Sequence, residues 1–548
     1  MTHSSRIERQ DRFGRTALTY LSRLSIGIAL ALTVGSCTPR LSDVIDQPGV
    51  PESVDRGFIG KAADIYYAGF GAVADGYVDA IEPATLALAS LNGVERLDDK
   101  VRMVQRANRI AIHYDNRSIA ELVVPERDDV SGWAQTTALA VETARRSSPK
   151  LAQATESMLF EATFDSMTES LDRYSRYENE LEGRVNKASR QGYSGIGAGL
   201  VQNTEPASVA ISKVFEGSPA AEAGVREGDI IGSVDGTSTQ NLDVEEVANL
   251  MRGPVGTLVR IRFYRENQNI DLEIRRDQVI EPTVFYQPVG DVAYVRISYF
   301  NIGTTEGLRE KIAQAKAEIP GGMKGLILDL RQNRGGNLSQ SLEVADLFIE
   351  EGQLLLTNGR TIGSRRSYVA SANDDINHLP MVVLIDGGSA SASEIVASAL
   401  QDSNRALVIG TRSFGKGTIQ NIVELPNQSY LIFTSARMHA PSGYTLSHFG
   451  VFPSICTQDS YGADDGSRTD LQLDQIASNK ALQLRRRADQ LGKAEKSKLE
   501  TYCTGDHPPS SDDSDVRIAS RLLHSAELYR QAAAASQVAF RAGPANPL

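Results

Sequence analysis

The chain has no surplus of positive charge. Over 548 residues its formal net charge is −12, which argues against nucleic acid or an anionic membrane surface as the main partner. It also lacks a long apolar run: the only pronounced one, Leu24 to Leu32, is too short to span a bilayer comfortably as a mature helix. No Gly-x-Ser-x-Gly elbow accompanies the histidines, so His439 and His448 near Pro441-Ser442-Gly443 read as packing or surface residues rather than as part of a Ser-His-Asp triad. The rest is ordinary: 41% hydrophobic and 23% charged residues, in a length that suits three or four domains. Function must therefore be sought in sites.

Two tempting motifs fail on their chemistry. Gly410-Thr411-Arg412-Ser413-Phe414-Gly415-Lys416 is nearly a phosphate-binding loop, but Gly417 stands where a magnesium-ligating Ser or Thr is needed, and Thr418 to Val423 reads as a strand rather than a helix. Ser413-Phe414-Gly415-Lys416 spells Ser-x-x-Lys, yet neither Ser-Asp-Asn nor Lys-Thr-Gly goes with it. No metal, nucleotide or other cofactor is expected.

The amino terminus points to export. Arg6, Arg9, Arg12 and Arg15 precede the short apolar run, which ends in Val34-Gly35-Ser36-Cys37. This pattern is that of a secretory signal over residues 1–36 with a bacterial lipobox, so cleavage before Cys37 and its acylation would tether the chain to a membrane by lipid on the periplasmic side of a bacterial envelope. An uncleaved signal anchor is the competing reading. With Cys37 so used, Cys456 and Cys503 are left as an even pair in a disulfide-permissive compartment, and they are expected to bond to one another, two unrelated thiols being the alternative.

The chemistry lies in two stretches. Gly388-Ser389-Ala390-Ser391-Ala392-Ser393-Glu394 leads into a helical pattern, which places a serine at a helix amino end, where anionic intermediates are stabilised. After the strand pattern Arg405 to Gly410, Lys416 is flanked by glycines that let backbone approach closely. A serine hydroxyl needs an adjacent base, and lysine serves only where burial lowers its pKa.

Together these stretches resemble the C-terminal processing peptidases, or tail-specific proteases, PDZ-containing Ser/Lys hydrolases. The resemblance implies Ser391 as nucleophile and Lys416 as base, 25 positions further on as is usual in that family, with Gln420 supporting the lysine and Asp402 as a weaker supporting candidate. Gly325-Leu326-Ile327-Leu328-Asp329-Leu330-Arg331-Gln332-Asn333-Arg334-Gly335-Gly336 is similar to the family's buried strand and glycine turn. One of Gly335 and Gly336, with Ala392, would supply the oxyanion hole. Arg334 and Asp386 depart from the usual small residue and asparagine.

The likeness extends over roughly residues 155–455, and the expected fold is multidomain α+β. A helical region (38–190) comes first, with residues 95–150 assigned to a homo-oligomer or regulatory-partner contact or to a plain spacer. A PDZ domain (191–280) follows, small and β-rich with two helices; Gly195-Ile196-Gly197-Ala198 would cradle a chain-terminal carboxylate while a protein tail adds as a strand. An α/β protease core (281–456) holds the dyad, and a helical extension with polar linkers (457–548) ends the chain, its helical stretches near Leu471–Leu491 and Val516–Ala535. The implied function is an exported serine endopeptidase that captures protein C-terminal tails and cleaves near them. A non-catalytic or latent PDZ adaptor is the alternative; an adaptor has no physical need for Ser391, Lys416 and Gln420 together.

Overall fold

The computed structural model describes residues 55–204, 207–371, 373–458, 491–505 and 514–536. The expected signal sequence, Cys37 and nearly all of the Leu471–Leu491 stretch lie outside the described residues. Asp55 accepts from the N–H groups of Gly57 and Phe58 and so starts α1 (Arg56–Gly76). With α2 (Pro83–Leu97), α3 (Val130–Ser147) and α4 (Glu156–Glu169) it encloses Tyr66, Phe70, Trp133, Phe160 and Phe164. The expected all-helical region needs correction, because residues 101–123 form an antiparallel sheet of β1 (Val101–Arg106), β2 (Arg109–Tyr114) and β3 (Arg117–Val123). In β3, buried Ala120 and Leu122 alternate with exposed Glu121 and Val123, a strand period, and the turns place Ala107, Asp115 and Asn116 at positive φ.

Past β4 (Arg176–Glu178) and α5 (Glu180–Gln191) comes the small β-rich unit. It comprises β5 (Tyr193–Gly195), β6 (Ala198–Thr204), β7 (Ala207–Val214), β8 (Ile230–Val234), β9 (Thr237–Ser238), α6 (Val244–Met251), β10 (Leu258–Arg265), β11 (Gln268–Arg275) and β12 (Asp277–Val279). Its main sheet runs β11-β10-β8-β7-β6, which leaves β6 as an edge strand beside α6. Val209, Ile211, Val247, Val259, Ile261 and Phe263 fill its own core.

The α/β unit is built on the sheet β13-β14-β15-β18-β19-β22, formed by β13 (Val284–Val289), β14 (Val292–Ile297), β15 (Gly325–Asp329), β18 (Met381–Ile385), β19 (Leu407–Gly410) and β22 (Ile455–Cys456). All neighbours after the β13–β14 hairpin pair in parallel. Every residue of β15, β18 and β19 is buried, as a parallel sheet covered on both faces requires. Helices α7 (Thr304–Glu318), α8 (Leu338–Asp346) and α9 (Ala392–Asp402) pack on one face. A second sheet, β17-β16-β21-β20, holds β16 (Gln353–Gly359), β17 (Arg366–Val369), β20 (Thr418–Glu424) and β21 (Tyr430–His439), with β4 added to β21. Leu431 and Phe433 of β21 also complete the amino-terminal helical core.

The described carboxy-terminal helices belong to this core rather than trailing from it. After α10 (Lys493–Glu500), helices α11 (Ser514–His524) and α12 (Ala526–Ser536) cover the second face of the parallel sheet, where Val516, Leu522 and Leu523 meet Ile327, Val382 and Leu384. Cys456 and Cys503 are joined by a disulfide. Between the helix and the sheet lies a fully buried charge cluster: Arg331 bonds Asp329 at 2.6 Å and Asp515 at 3.1 Å, and Tyr294 donates to Asp329 at 2.7 Å. Removing Asp515 takes a charged acceptor from the buried Arg331 guanidinium, and losing one partner of a buried, hydrogen-bonded charge pair is strongly destabilising. Asp515→Ala is therefore expected to lower stability by about 3 kcal/mol, read as a shift of the urea unfolding midpoint.

Candidate active site

Three loops leave the carboxyl ends of adjacent parallel strands, where open α/β sheets place their sites. The loop after β15 carries Gly335 and Gly336, the loop after β18 carries Ser391, and the loop after β19 carries Lys416. Asn333 ties the first two: its carbonyl accepts from the Ala390 N–H at 3.0 Å and from Ser393 Oγ at 2.8 Å. Ser389 adds a further tie, donating to the Leu330 carbonyl at 2.8 Å and accepting through its own carbonyl from the Phe414 N–H. Ser389 and Ser393 are thus buried structural hydroxyls. Ser391 differs, since its Oγ donates to no acceptor among the described residues and its backbone is held at φ 56°, ψ −111°, immediately before α9. A non-glycine residue in such a conformation costs on the order of 1–3 kcal/mol and persists only where its surroundings enforce it.

Glu394 is the enforcing group. Fully buried one turn into α9, its carboxylate accepts from the N–H of Ser391 at 2.7 Å, Ser413 Oγ at 2.5 Å, the N–H of Gly415 at 2.7 Å and the N–H of Lys416 at 2.9 Å. Burial pushes its pKa up, and these four donors pull against that rise. The sequence reading named Glu394 only as part of a helix; the signal available was an acidic residue three positions into a helix start.

Burial likewise pulls the Lys416 ammonium below its usual value, with nearby Arg176 adding to the effect and Glu394 and Asp172 opposing it. Its Nζ forms no ion pair among the described residues and lies 5.5 Å from the ring centre of Tyr174. The flanking glycines are required by space: a Cβ on Gly415 would meet the His448 backbone at 2.8 Å, and one on Gly417 the Ser447 nitrogen at 2.1 Å. Tyr174 precedes β4 and Arg176 opens it, and sequence distance concealed their approach to the lysine.

No hydrogen bond joins Ser391 to Lys416. Gln420 is on β20 four residues beyond the lysine, but its side chain donates to Thr418 and Thr434, each at 3.1 Å, and makes no bond to Lys416. Asp402 is not brought to the site. It lies at the far end of α9, roughly 16 Å from Ser391 at 1.5 Å per residue, and accepts from the N–H and hydroxyl of Ser442. Of the paired glycines, Gly335 packs against Ser391 and Ala392, with its N–H committed to Asn333 Oδ1 at 2.9 Å. Phe300 bonds through the Gly335 carbonyl and the Asn337 N–H, which leaves the N–H of Gly336, like that of Ala392, without an acceptor among the described residues. Asp386 is buried and accepts from the Gln332 and Gly388 N–H groups, so its departure from asparagine is structurally accommodated.

In the β-rich unit a cavity of about 280 Å³ adjoins Gly195, Ile196, Gly197 and Ala198, between the edge strand β6 and α6. Leu200, Phe215, Val244 and Met251 give it an apolar lining, and Arg252 stands beside it. Gly197 takes φ 81°, and the N–H groups of Ile196 and Gly197 meet no acceptor among the described residues.

The sequence profile of peptidase family S41 matches residues 291–457, and that of a PDZ domain matches residues 211–265. A carboxy-terminal-processing protease of Bartonella bacilliformis is 36% identical over 303 residues, which cover 55% of this chain and 70% of that one. A probable CtpA-like serine protease of Staphylococcus aureus is 30% identical over 303 residues, 54% of this chain and 60% of that one. A solved photosystem II D1 C-terminal processing protease is 25% identical over 72% of this chain and 92% of its own, with a TM-score of 0.36, too loose a likeness to carry weight.

Exchanging the Glu394 carboxylate for an amide turns one of its acceptor oxygens into a donor facing N–H and O–H groups. Glu394→Gln is expected to cost on the order of 2–3 kcal/mol of stability and to lower kcat about a hundredfold, read by thermal melting and by steady-state cleavage of a chromogenic peptide.

Proposed function

The chain belongs to the carboxy-terminal-processing proteases of peptidase family S41, serine-type peptidases with a PDZ domain, and on that premise we propose that it cleaves proteins near their C-termini with Ser391 as nucleophile and Lys416 as base. The observation that carries this reading is the shared carboxylate of Glu394, which holds the N–H of the strained serine and that of the half-buried lysine on one group. Neutral Lys416 takes the Ser391 proton as Oγ attacks the scissile carbonyl. The N–H groups of Ala392 and Gly336 receive the oxyanion, each worth about 3 kcal/mol in the transition state, and water then releases the acyl group. Catalytic hydrogen bonds of this kind commonly tighten only once substrate is bound, and the Ser391–Lys416 bond is expected to form in the complex. Gln420 takes a secondary part, its side chain bracing Thr418 and Thr434 beside the lysine loop.

The substrate tail adds as a strand to β6, its carboxylate meeting the N–H groups of Ile196 and Gly197 and its last side chain entering the apolar cavity. Export under the residue 1–36 signal and a lipid anchor at Cys37 place the enzyme on the periplasmic side of a bacterial envelope membrane, acting on envelope proteins. The disulfide fits an oxidising compartment.

Activity on an unstructured protein with an apolar C-terminus tests the dyad. Ser391→Ala and Lys416→Ala are each expected to lower kcat by at least about a thousandfold; full activity in either would remove that residue from the mechanism. Because the active form is the neutral amine, wild-type kcat/KM should rise with pH through one apparent pKa below about 10.4. The same depression means that the charged lysine costs stability at every pH below its folded pKa. Lys416→Met is therefore expected to raise the melting temperature at pH 7 while abolishing turnover. For the PDZ groove, amidating the C-terminus of a tail peptide should weaken binding at least about tenfold by fluorescence anisotropy.

A further inference from the structure

The segment from Leu499 to Gly505 lies across the bases of both catalytic loops. The carbonyl of Gly505 accepts from the N–H of Gly387 at 3.0 Å and from Thr411 Oγ1 at 2.5 Å. Gly387 stands four residues before Ser391, and Thr411 five before Lys416. One carbonyl therefore receives a bond from each loop. The carbonyl of Cys503 takes the N–H of Arg412 at 2.6 Å, and that of Glu500 takes Arg412 Nη2 at 2.8 Å. Tyr502 stacks on Phe452 at 6.0 Å between ring centres. These are bonds to main-chain carbonyls of a segment remote in sequence, so they exist only while that segment is held in place.

The disulfide holds it. Cys456 ends the sheet on β22, beside Gly410 of β19, and Cys503 is bonded to it. Cys503 is itself held at φ 51°, a left-handed conformation that a non-glycine residue keeps only under constraint. Neither the dyad mechanism nor tail capture uses this bond.

We propose that the Cys456–Cys503 disulfide and the segment it staples position the two catalytic loops relative to one another, so that the thiol–disulfide state of this pair sets turnover. In the oxidised form Gly505 keeps the nucleophile and base loops at a fixed spacing. A dithiol reductant supplies two electrons and two protons: the S–S bond breaks, each sulfur becomes a thiol, and the reductant leaves as its own disulfide. Cys503 then relaxes, and the Gly387 and Thr411 bonds lose their shared acceptor. Cys456, Cys503 and Thr411 are positioning residues, since none touches substrate.

The inference rests on the proposed dyad. It is tested on the whole mature chain with kcat, KM, the pH profile of kcat, and tail-peptide affinity measured side by side. The oxidised enzyme is compared with enzyme in dithiothreitol, with the Cys456→Ser/Cys503→Ser double variant, and with Thr411→Val and Thr411→Ser. Expected is a fall in kcat of about tenfold or more on reduction, in the double variant and in Thr411→Val, with a displaced pH profile, while KM and tail affinity stay within about twofold. Thr411→Ser, which restores the hydroxyl, should recover the rate. An active oxidised enzyme whose kcat and pH profile are unchanged on reduction and in Thr411→Val overturns the inference alone. An oxidised enzyme as inert as Ser391→Ala overturns the dyad reading and this inference with it. Should the double variant lose its native circular dichroism, Thr411→Val decides: unchanged kcat overturns the proposal, and a fall rescued by Thr411→Ser supports it.

Discussion

The site depends on one buried carboxylate. Glu394 brings four donors from two loops to a single point, and two of them are the backbone N–H groups of the residues proposed as nucleophile and base. Burying a carboxylate is expensive unless such donors surround it. Once they do, neither loop can move without unmaking bonds in a water-poor interior. The positive φ of Ser391 follows from this, because its N–H must turn back to Glu394 while its carbonyl begins the α9 ladder by accepting from Ile395. The lysine is treated in the opposite way: it is half-buried without an ion-pair partner among the described residues, which disfavours its charged form. A hydrogen-bonded carboxylate and an ammonium without an ion-pair partner among the described residues, adjacent in space though 22 positions apart in sequence, are the two electrostatic conditions the proposed dyad needs.

The fold makes this juxtaposition inexpensive. Neighbouring parallel strands lie about 4.8 Å apart, so loops leaving β15, β18 and β19 on the same edge start out as neighbours. The remaining task is to turn each chain sharply, and glycine or strained residues do so. Gly336, at φ 139°, could carry no side chain because a Cβ would stand 2.1 Å from the Phe300 carbonyl oxygen. Small residues in these loops are thus spatial requirements of loops packed backbone to backbone.

The sequence disclosed what is local and repetitive. Buried apolar runs marked the parallel strands, small residues before an apolar helix marked the turn at Ser391, and the order of motifs marked the family. It concealed contacts between distant segments. Tyr174 and Arg176 reach Lys416 from 240 or more positions away, and Asp515 reaches Arg331 across 184. Asp402 misled for the complementary reason: a carboxylate shortly after the nucleophile in sequence is a helix length away in space, where it caps the turn at Ser442. The strands over 101–123 were masked by interspersed charges such as Arg102, Arg106, Arg109, Asp115, Arg117 and Glu121, with Val101, Ile110, Ile112, Ala120 and Leu122 facing inward.

Domains drawn along the sequence are not the units of packing. The amino-terminal helices need Leu431 and Phe433 of the protease sheet, and the parallel sheet needs α11 to close its second face. The PDZ unit, by contrast, draws its core wholly from residues 196–274. That difference matters at α5. On one side Val185 and Ala188 line the cavity beside the PDZ groove, and Arg184 bonds Glu245 of α6 at 3.2 Å. On the other side Gly183 packs against the ring of Tyr430, so closely that a Cβ would overlap it, and Lys187 pairs with Glu424 at 3.6 Å. Tyr430 and Glu424 face each other across β20 and β21, and β20 begins two residues after Lys416. The helix that borders the groove is therefore also packed on the strand pair that follows the lysine, so the proposed tail groove and the proposed base share one helix as a neighbour.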